Sequence, residues 1–286
     1  MILTSGVGRP ASTRIVDDLL ALAGPRSSDA DLARALALCT DRLAPWKPQR
    51  QEVDHAGRRL VNLIAERPGN GRWVVVCAHL DTLPHTPGAN DNASGVAVLL
   101  HLAERFRDVP LSGPGLRLVI TTGEEDMARD PRAGSSAHLD LTGVIALLAV
   151  DTVGYYDARW GTQACPAWWW RPWFGWRGDY LALVGPPNQQ THRRNLAREM
   201  TADLPVRALR APLRWSLAGD HVTAARAGIL AIRITDTDRW RDPEYHRRGD
   251  TSARLDPRHL ARAGEAVTRG VAMLLGMTLR PSAHPI

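Results

Sequence analysis

Apolar residues along this chain follow two rhythms in turn, one with helical spacing and one with strand character. Ile15, Leu19, Leu20 and Leu22 over 13–23, then Leu32, Leu36, Leu38 and Leu43 over 29–43, predict two helices. Strand-like stretches follow at 49–54 and 59–65. The run Trp73-Val74-Val75-Val76-Cys77-Ala78 has no polar alternation and is bounded by polar turns, which predicts a strand buried on both faces. Val96, Leu99, Leu100, Ala103 and Phe106 return to helical spacing. Strands are then expected at 116–121, 144–150, 180–184, near 206–209 and at 229–234, with helices near 135–140, 188–202 and 220–227 between them. A last helix opens with Asp256 as N-cap and Pro257 behind it, and carries Leu260, Val267, Val271, Leu274 and Leu275 on one stripe. This alternation predicts an α/β fold, a three-layer α/β/α sandwich around a mixed, mostly parallel central sheet. No internal repeat is visible, and the whole of 1–286 reads as a single domain.

One stretch breaks the rhythm. Residues 155–180 hold Tyr155, Tyr156, Trp160, Trp168, Trp169, Trp170, Trp173, Phe174 and Trp176, interrupted by Pro166, Pro172 and Gly175. With neither period, it reads as an insertion between two strands. Three roles stay open for it: a lid or wall forming an apolar pocket, a local satellite core, and contact with a membrane surface.

Composition narrows the function. The 286 residues are 44% hydrophobic, enough for a sizeable core. The formal charge of +6 suggests nucleic acid at first, but the cations are almost all arginine, with Lys47 the only lysine, and they are scattered among acids. A nucleic-acid binder concentrates them in a stripe or arm. Cys39, Cys77 and Cys165 have no metal-type spacing and imply no disulfide framework; Cys77 reads as a small core residue. Neither a signal-peptide pattern nor an apolar run of membrane-spanning length occurs, so the expectation is a cytoplasmic protein without a membrane span.

The chemistry gathers where predicted strands end. His79 and Asp81 follow the strand 73–78, Glu124 and Glu125 follow 116–121, and Asp151 follows 144–150. In open α/β sheets ligands bind outside the carboxyl ends of the strands. Three strands therefore bring histidine and carboxylates to one sheet edge. Asp91, inside Gly88-Ala89-Asn90-Asp91-Asn92-Ala93-Ser94-Gly95, leads into the next helix at the same edge, and Tyr245-His246 and Gly249-Asp250-Thr251 lie in a polar loop after 229–234.

These segments, together with Gly134-Ser135, Asp151-Thr152-Val153-Gly154 and Asp220-His221, run in order over roughly 60 to 255 and resemble the M28 family of metallopeptidases, aminopeptidase-type zinc exopeptidases. The resemblance implies one metal held by His79, Asp91 and Asp151 and a second by Asp91, Glu125 and His246, with Asp91 shared. Nitrogen and oxygen donors without thiolate suit two zinc ions, with cobalt or manganese as substitutes. It further implies Glu124 as general base, Tyr245 as a support for the oxyanion, and Asp81 as the group that fixes the tautomer of His79. The substrate expected is a peptide or amide, and the activity that of an aminopeptidase. A packing role is the alternative for Tyr245, and Asp220-His221 and Asp250-Thr251 read as structural, the former at a helix start. His85, His101, His138, His259 and His284 read as surface or helix-face residues.

Two departures from the family pattern bear on specificity. Asp-Met-Ala-Arg-Asp-Pro-Arg-Ala follows Glu125, and Arg247-Arg248 stands where the family usually has threonine and proline. Two other functions compete. Glutaminyl cyclases, single-zinc acyltransferases on a related scaffold, usually carry tryptophan before the last histidine and lack the Asp-Asn-Ala-Ser-Gly run. A non-enzymatic binding domain on the same fold would normally have lost the base or a ligand, and here every position is intact. The oligomeric state is not legible.

Overall fold

A computed structural model describes residues 11–55, 57–126, 134–202 and 204–277. Helices α1 (Ala11–Leu22) and α2 (Asp29–Arg42) lead into strands β1 (Gln49–His55), β2 (Arg58–Arg67) and β3 (Trp73–His79). Then come α3 (Gly95–Phe106), β4 (Gly115–Thr121), β5 (Val144–Val150), the short α4 (Arg171–Phe174) and β6 (Leu181–Val184). The chain continues through α5 (Gln190–Met200), β7 (Val206–Ala208), α6 (Leu213–Ser216), α7 (Val222–Arg226), β8 (Leu230–Thr235) and α8 (Pro257–Leu274).

The strands form one sheet in the order β1-β2-β4-β3-β5-β8-β6-β7. Its centre, β4-β3-β5-β8, is parallel throughout. Antiparallel pairings join β2 to β1 and β4, and β6 to β8. The sheet is thus mixed, and all four central strands deliver their carboxyl ends to one edge.

The unbroken apolar run of β3 has a simple cause. Val74, Val76 and Ala78 face a large core shared with α1, α2, α3, α5 and α8, while Val75 and Cys77 face a smaller core under Leu139 and Ala224. Both faces are covered, so no position in the strand favours a polar side chain. The covering is unequal: the helices α1, α3, α5 and α8 pack on one another on one side, and the 3-10 turn Ser135–His138 and α7 make a thinner layer on the other. Asp256 caps α8, its carboxylate accepting from the Arg258 amide at 2.8 Å. The short helix expected near 135–140 is that 3-10 turn.

The Trp-rich segment builds a third core. Phe174, Tyr180 and Trp215 pack with Trp170, Trp173 and Trp240, whereas Trp160, Trp168, Trp169 and Trp176 remain exposed. His101 sits on a face of α3, buried against Glu265 of α8 at 3.2 Å, a tie between two helices. No described helix is long and apolar enough to cross a membrane. Residues 127–133, most of the first departure noted above, and His284 lie outside the described residues.

Candidate active site

His79 is the last residue of β3 and Asp151 directly follows β5. Glu124 and Glu125 open a 3-10 turn just beyond β4. Asp91 lies in the loop before α3, and His246 in the loop after β8, at φ +61°. A non-glycine residue in that region costs about 1–2 kcal/mol, a strain typical of functional sites.

These side chains converge in two groups that share one member. The Nε2 of His79 lies 3.2 Å from Oδ1 of Asp91 and 3.4 Å from Oδ1 of Asp151. The Nε2 of His246 lies 3.1 Å from Oδ2 of Asp91 and 3.4 Å from Oε2 of Glu125. Asp91 therefore turns one oxygen to each histidine. Within each group the candidate ligand atoms lie within 4.8 Å of one another.

The residues fit a cation at each position. The Nδ1 of His79 faces the Asp81 carbonyl oxygen at 3.2 Å, and a carbonyl only accepts, so the neutral ring carries its proton there. Its Nε2 then presents a lone pair toward carboxylate oxygens, an arrangement that a metal ion resolves. Asp91 Oδ2 and Asp151 Oδ1 are buried and accept no well-formed hydrogen bond, which for carboxylate oxygens is costly unless a cation faces them. The titration behaviour has the same origin. Burial pushes the Glu124 carboxyl up to about 8 against the pull of His79, with Asp151 and Asp220 adding to the rise. Burial and then Asp91 take Glu125 to about 10. Negative charge is crowded here beyond what two imidazoles balance, and bound cations act in the opposite direction.

The neighbours hold this geometry from several elements. The carbonyl of Asp81 takes the ring nitrogen of His79, the carboxylate lying 3.8 Å away. The carboxylate accepts from the amides of Glu124 at 3.3 Å and Glu125 at 3.2 Å, so Asp81 positions the acidic turn as well. Tyr245 stacks on His246 with centroids 3.8 Å apart. Burial and the nearby Asp91 and Asp238 carboxylates raise its hydroxyl well above the ordinary value, keeping it a donor. Asp220 does not cap a helix: it accepts from Thr121 at 2.6 Å. His221, the residue before α7, makes no side-chain cap and places Nε2 2.9 Å from the Ser216 carbonyl.

The Gly88-to-Gly95 run is stitched in place by its polar residues. Asp250 accepts from the amide of Asn90 at 2.7 Å and of Asp91 at 3.0 Å. Asn90 donates to Asp236 and accepts from Gly154, and Asn92 bridges Val150, Gly95 and Thr152. Gly88, at φ +61°, admits no side chain, since a Cβ would lie 2.5 Å from the Asp91 carbonyl oxygen. Asp250-Thr251 is thus structural in a specific sense, a clamp on the backbone that carries Asp91.

Two residues escaped the reading of the sequence. Arg233 of β8 is buried and bonds Asp151 Oδ2 at 2.8 Å and Asp238 at 2.5 Å, so the second oxygen of Asp151 is fixed. Its signal was a charge inside the apolar stretch Leu230–Thr235. Arg26, also buried, donates to the carbonyls of Leu80 at 2.6 Å and Gly88 at 2.8 Å. No local pattern marks it. A pocket of about 610 Å³ opens over the cluster, bounded by Glu124, Glu125, Tyr245 and His246, with Trp215 and Trp240 among its walls. From the Trp-rich insertion only Pro166 reaches it.

The profile of peptidase family M28 matches residues 62–271. The chain is 33% identical over 238 residues to the uncharacterized protein YfbL of Escherichia coli K12, covering 76% of this chain and 72% of that protein. It is 28% identical over 205 residues to aminopeptidase YwaD of Bacillus subtilis, covering 69% of this chain but only 40% of YwaD. Among solved structures, the LapA aminopeptidase of Legionella pneumophila superposes with a TM-score of 0.71 at 16% identity, over 94% of this chain and 73% of LapA. The glutaminyl cyclase of Fimbriiglobus ruber gives 0.68 at 19% identity, over 94% and 97%. These superpositions establish a shared fold, and the profile match, with the identity to YfbL, decides membership. The chain belongs to peptidase family M28, a family of metallopeptidases.

Proposed function

We propose that this metallopeptidase is an aminopeptidase working with two zinc ions, one held by His79, Asp91 and Asp151 and the other by Asp91, Glu125 and His246. The observation that carries the reading is the division of Asp91, with one oxygen toward each histidine. When bound, zinc supplies Lewis acidity toward the scissile carbonyl and the attacking water. The protein's own part is proton transfer and positioning. Glu124 is outside both ligand groups, 4.0 Å from Nε2 of His79, and faces the pocket, where its carboxylate can take a proton from water and pass it to the leaving amine. Tyr245, kept protonated, can donate to the oxygen that gains charge. Asp81 holds the turn on which the base stands.

A chelator-reversible assay tests this. The zinc-loaded protein is expected to contain two equivalents of metal, to release free-amine aminoacyl-anilides, and to leave N-blocked analogues intact. One equivalent of metal, with cyclisation of N-terminal glutamine, would transfer the chain to the cyclase reading.

The pocket wall adds a preference. Arg214, Arg226 and Arg239 line it, are exposed, and have no carboxylate partner among the described residues; Arg239 sits 5.6 Å from the centre of the Tyr245 ring. Substrates carrying a carboxylate near the cleaved bond are expected to be favoured. Replacing each arginine by glutamine should lower kcat/KM on an acidic substrate by up to about fivefold, the ceiling for a solvent-exposed ion pair, while a neutral substrate is unaffected. Equal losses on both substrates would remove the arginines from recognition.

A further inference from the structure

A second cavity of about 590 Å³ lies under the Trp-rich insertion and shares no lining residue with the pocket over the metal cluster. The two are neighbours across one segment: Trp215 borders the first and Ser216 the second. The walls of this second cavity include Trp169, Trp170 and Trp173, with Arg193 at its base and Arg210 on its rim. Its size falls within the usual range for small-molecule sites, about 300–1,000 Å³.

Arg193 is the unusual member. It rises from the first turn of α5 and is only 2% exposed. Nη1 donates to the Pro186 carbonyl at 2.6 Å and Nη2 to the Gln190 amide oxygen at 2.5 Å, both neutral partners. Nε is buried with no partner. A guanidinium has about five N–H donors, so most of its capacity is unspent. Two other buried arginines have acids close by: Arg233 pairs with Asp151 and Asp238, and Arg26 feels Asp81, Asp91 and Asp250; a third, Arg241, bonds only neutral groups, Gln163 and the Tyr180 carbonyl, but feels the Asp236 carboxylate. Among the described residues Arg193 has no ion-pair partner, and burial alone pulls its guanidinium down to about 10. A buried cation without a counter-charge is strongly unfavourable. Arg210, exposed and 5.8 Å from the centre of the Trp173 ring, brings a second cation to the mouth.

We propose that this cavity binds an organic carboxylate with an aromatic or branched apolar body, the carboxylate taken by Arg193 and Arg210 and the body laid against Trp169, Trp170 and Trp173. The guanidinium supplies the missing charge pair in a desolvated setting, where such bonds are strongest. The indoles supply apolar area with fixed orientation. The chemistry fits both a free aromatic acid and the C-terminal carboxylate of a peptide. The site is independent of the metal centre and of the reaction assigned to it.

The test is a binding titration on the zinc-loaded chain, followed by tryptophan fluorescence and calorimetry. The probes are 4-phenylbutyrate and the blocked dipeptide N-acetyl-Leu-Phe, each beside its neutral amide. Each acid that fits should bind at least about tenfold tighter than its amide. Binding of both acids assigns peptide C-termini as well as small acids, and binding of 4-phenylbutyrate alone assigns small acids. Arg193→Gln and Trp173→Ala should each weaken binding by at least about tenfold, and Asp91→Ala, which disables the metal cluster, should leave it unchanged. If Arg193→Gln fails to fold, Trp173→Ala and the surface change Arg210→Gln carry the comparison. Equal affinity for acid and amide, no binding up to about 10 mM, or binding lost in Asp91→Ala but kept in Trp173→Ala would overturn the proposal.

Discussion

Glu124→Gln is expected to retain its full metal content and lose about 10²- to 10⁴-fold in turnover, the usual contribution of a positioned general base. The substitution is nearly isosteric. It keeps the backbone amide that Asp81 accepts from, so the acidic turn stays in place. It also leaves both ligand groups untouched, because neither includes Glu124. What disappears is the ability to carry a proton. The check is kcat on a leucine anilide beside metal content of the same sample. Turnover within about tenfold of the parent would remove Glu124 from the role, and loss of metal would make it a ligand instead.

Asp91→Ala is expected to empty both positions together. Its two oxygens serve two histidines, so one substitution leaves His79 with Asp151 alone and His246 with Glu125 alone. Each pair of ligands is too few for zinc, which takes at least about three from the protein in its catalytic sites. The loss at each position should exceed the roughly 10- to 100-fold that follows removal of an outer partner. His246→Ala or Asp151→Ala touches one group and should leave the other occupied. Metal analysis after dialysis separates the outcomes. Two equivalents retained by Asp91→Ala would dismantle the shared-carboxylate geometry.

The legible parts of this protein are those whose signal is local. The β3 run reads as a buried strand because its two faces meet two cores, and the reading needed only six consecutive residues. His79, Glu125 and Asp151 are visible because each follows an apolar strand, and the parallel centre of the sheet then brings them to one edge. The supporting contacts are not local. Asp250 grips Asn90 across 160 positions, and Asn90 meets Asp236 across 146, distances over which spacing carries no information. Asp81 is legible in its place and not in its detail. Its place two residues from His79 indicated the contact, but not that the backbone carbonyl would make it and free the carboxylate for Glu124 and Glu125. The Trp-rich segment could not be resolved from composition, since satellite core and pocket wall draw on the same residues. It forms a core through Phe174, Trp170 and Trp173, and walls a cavity other than the one over the metal cluster.

Arg26 carries a practical consequence for trimming this protein. The stretch that matches the family begins at residue 62, so a fragment cut to that boundary discards the guanidinium reaching into the loops around His79 and Asp91. The Leu80 and Gly88 carbonyls, now sealed from water, would lose their donor, and a buried acceptor without one is destabilising. The smallest autonomous catalytic unit therefore starts upstream of the recognisable motif, at or before the helix that precedes Arg26.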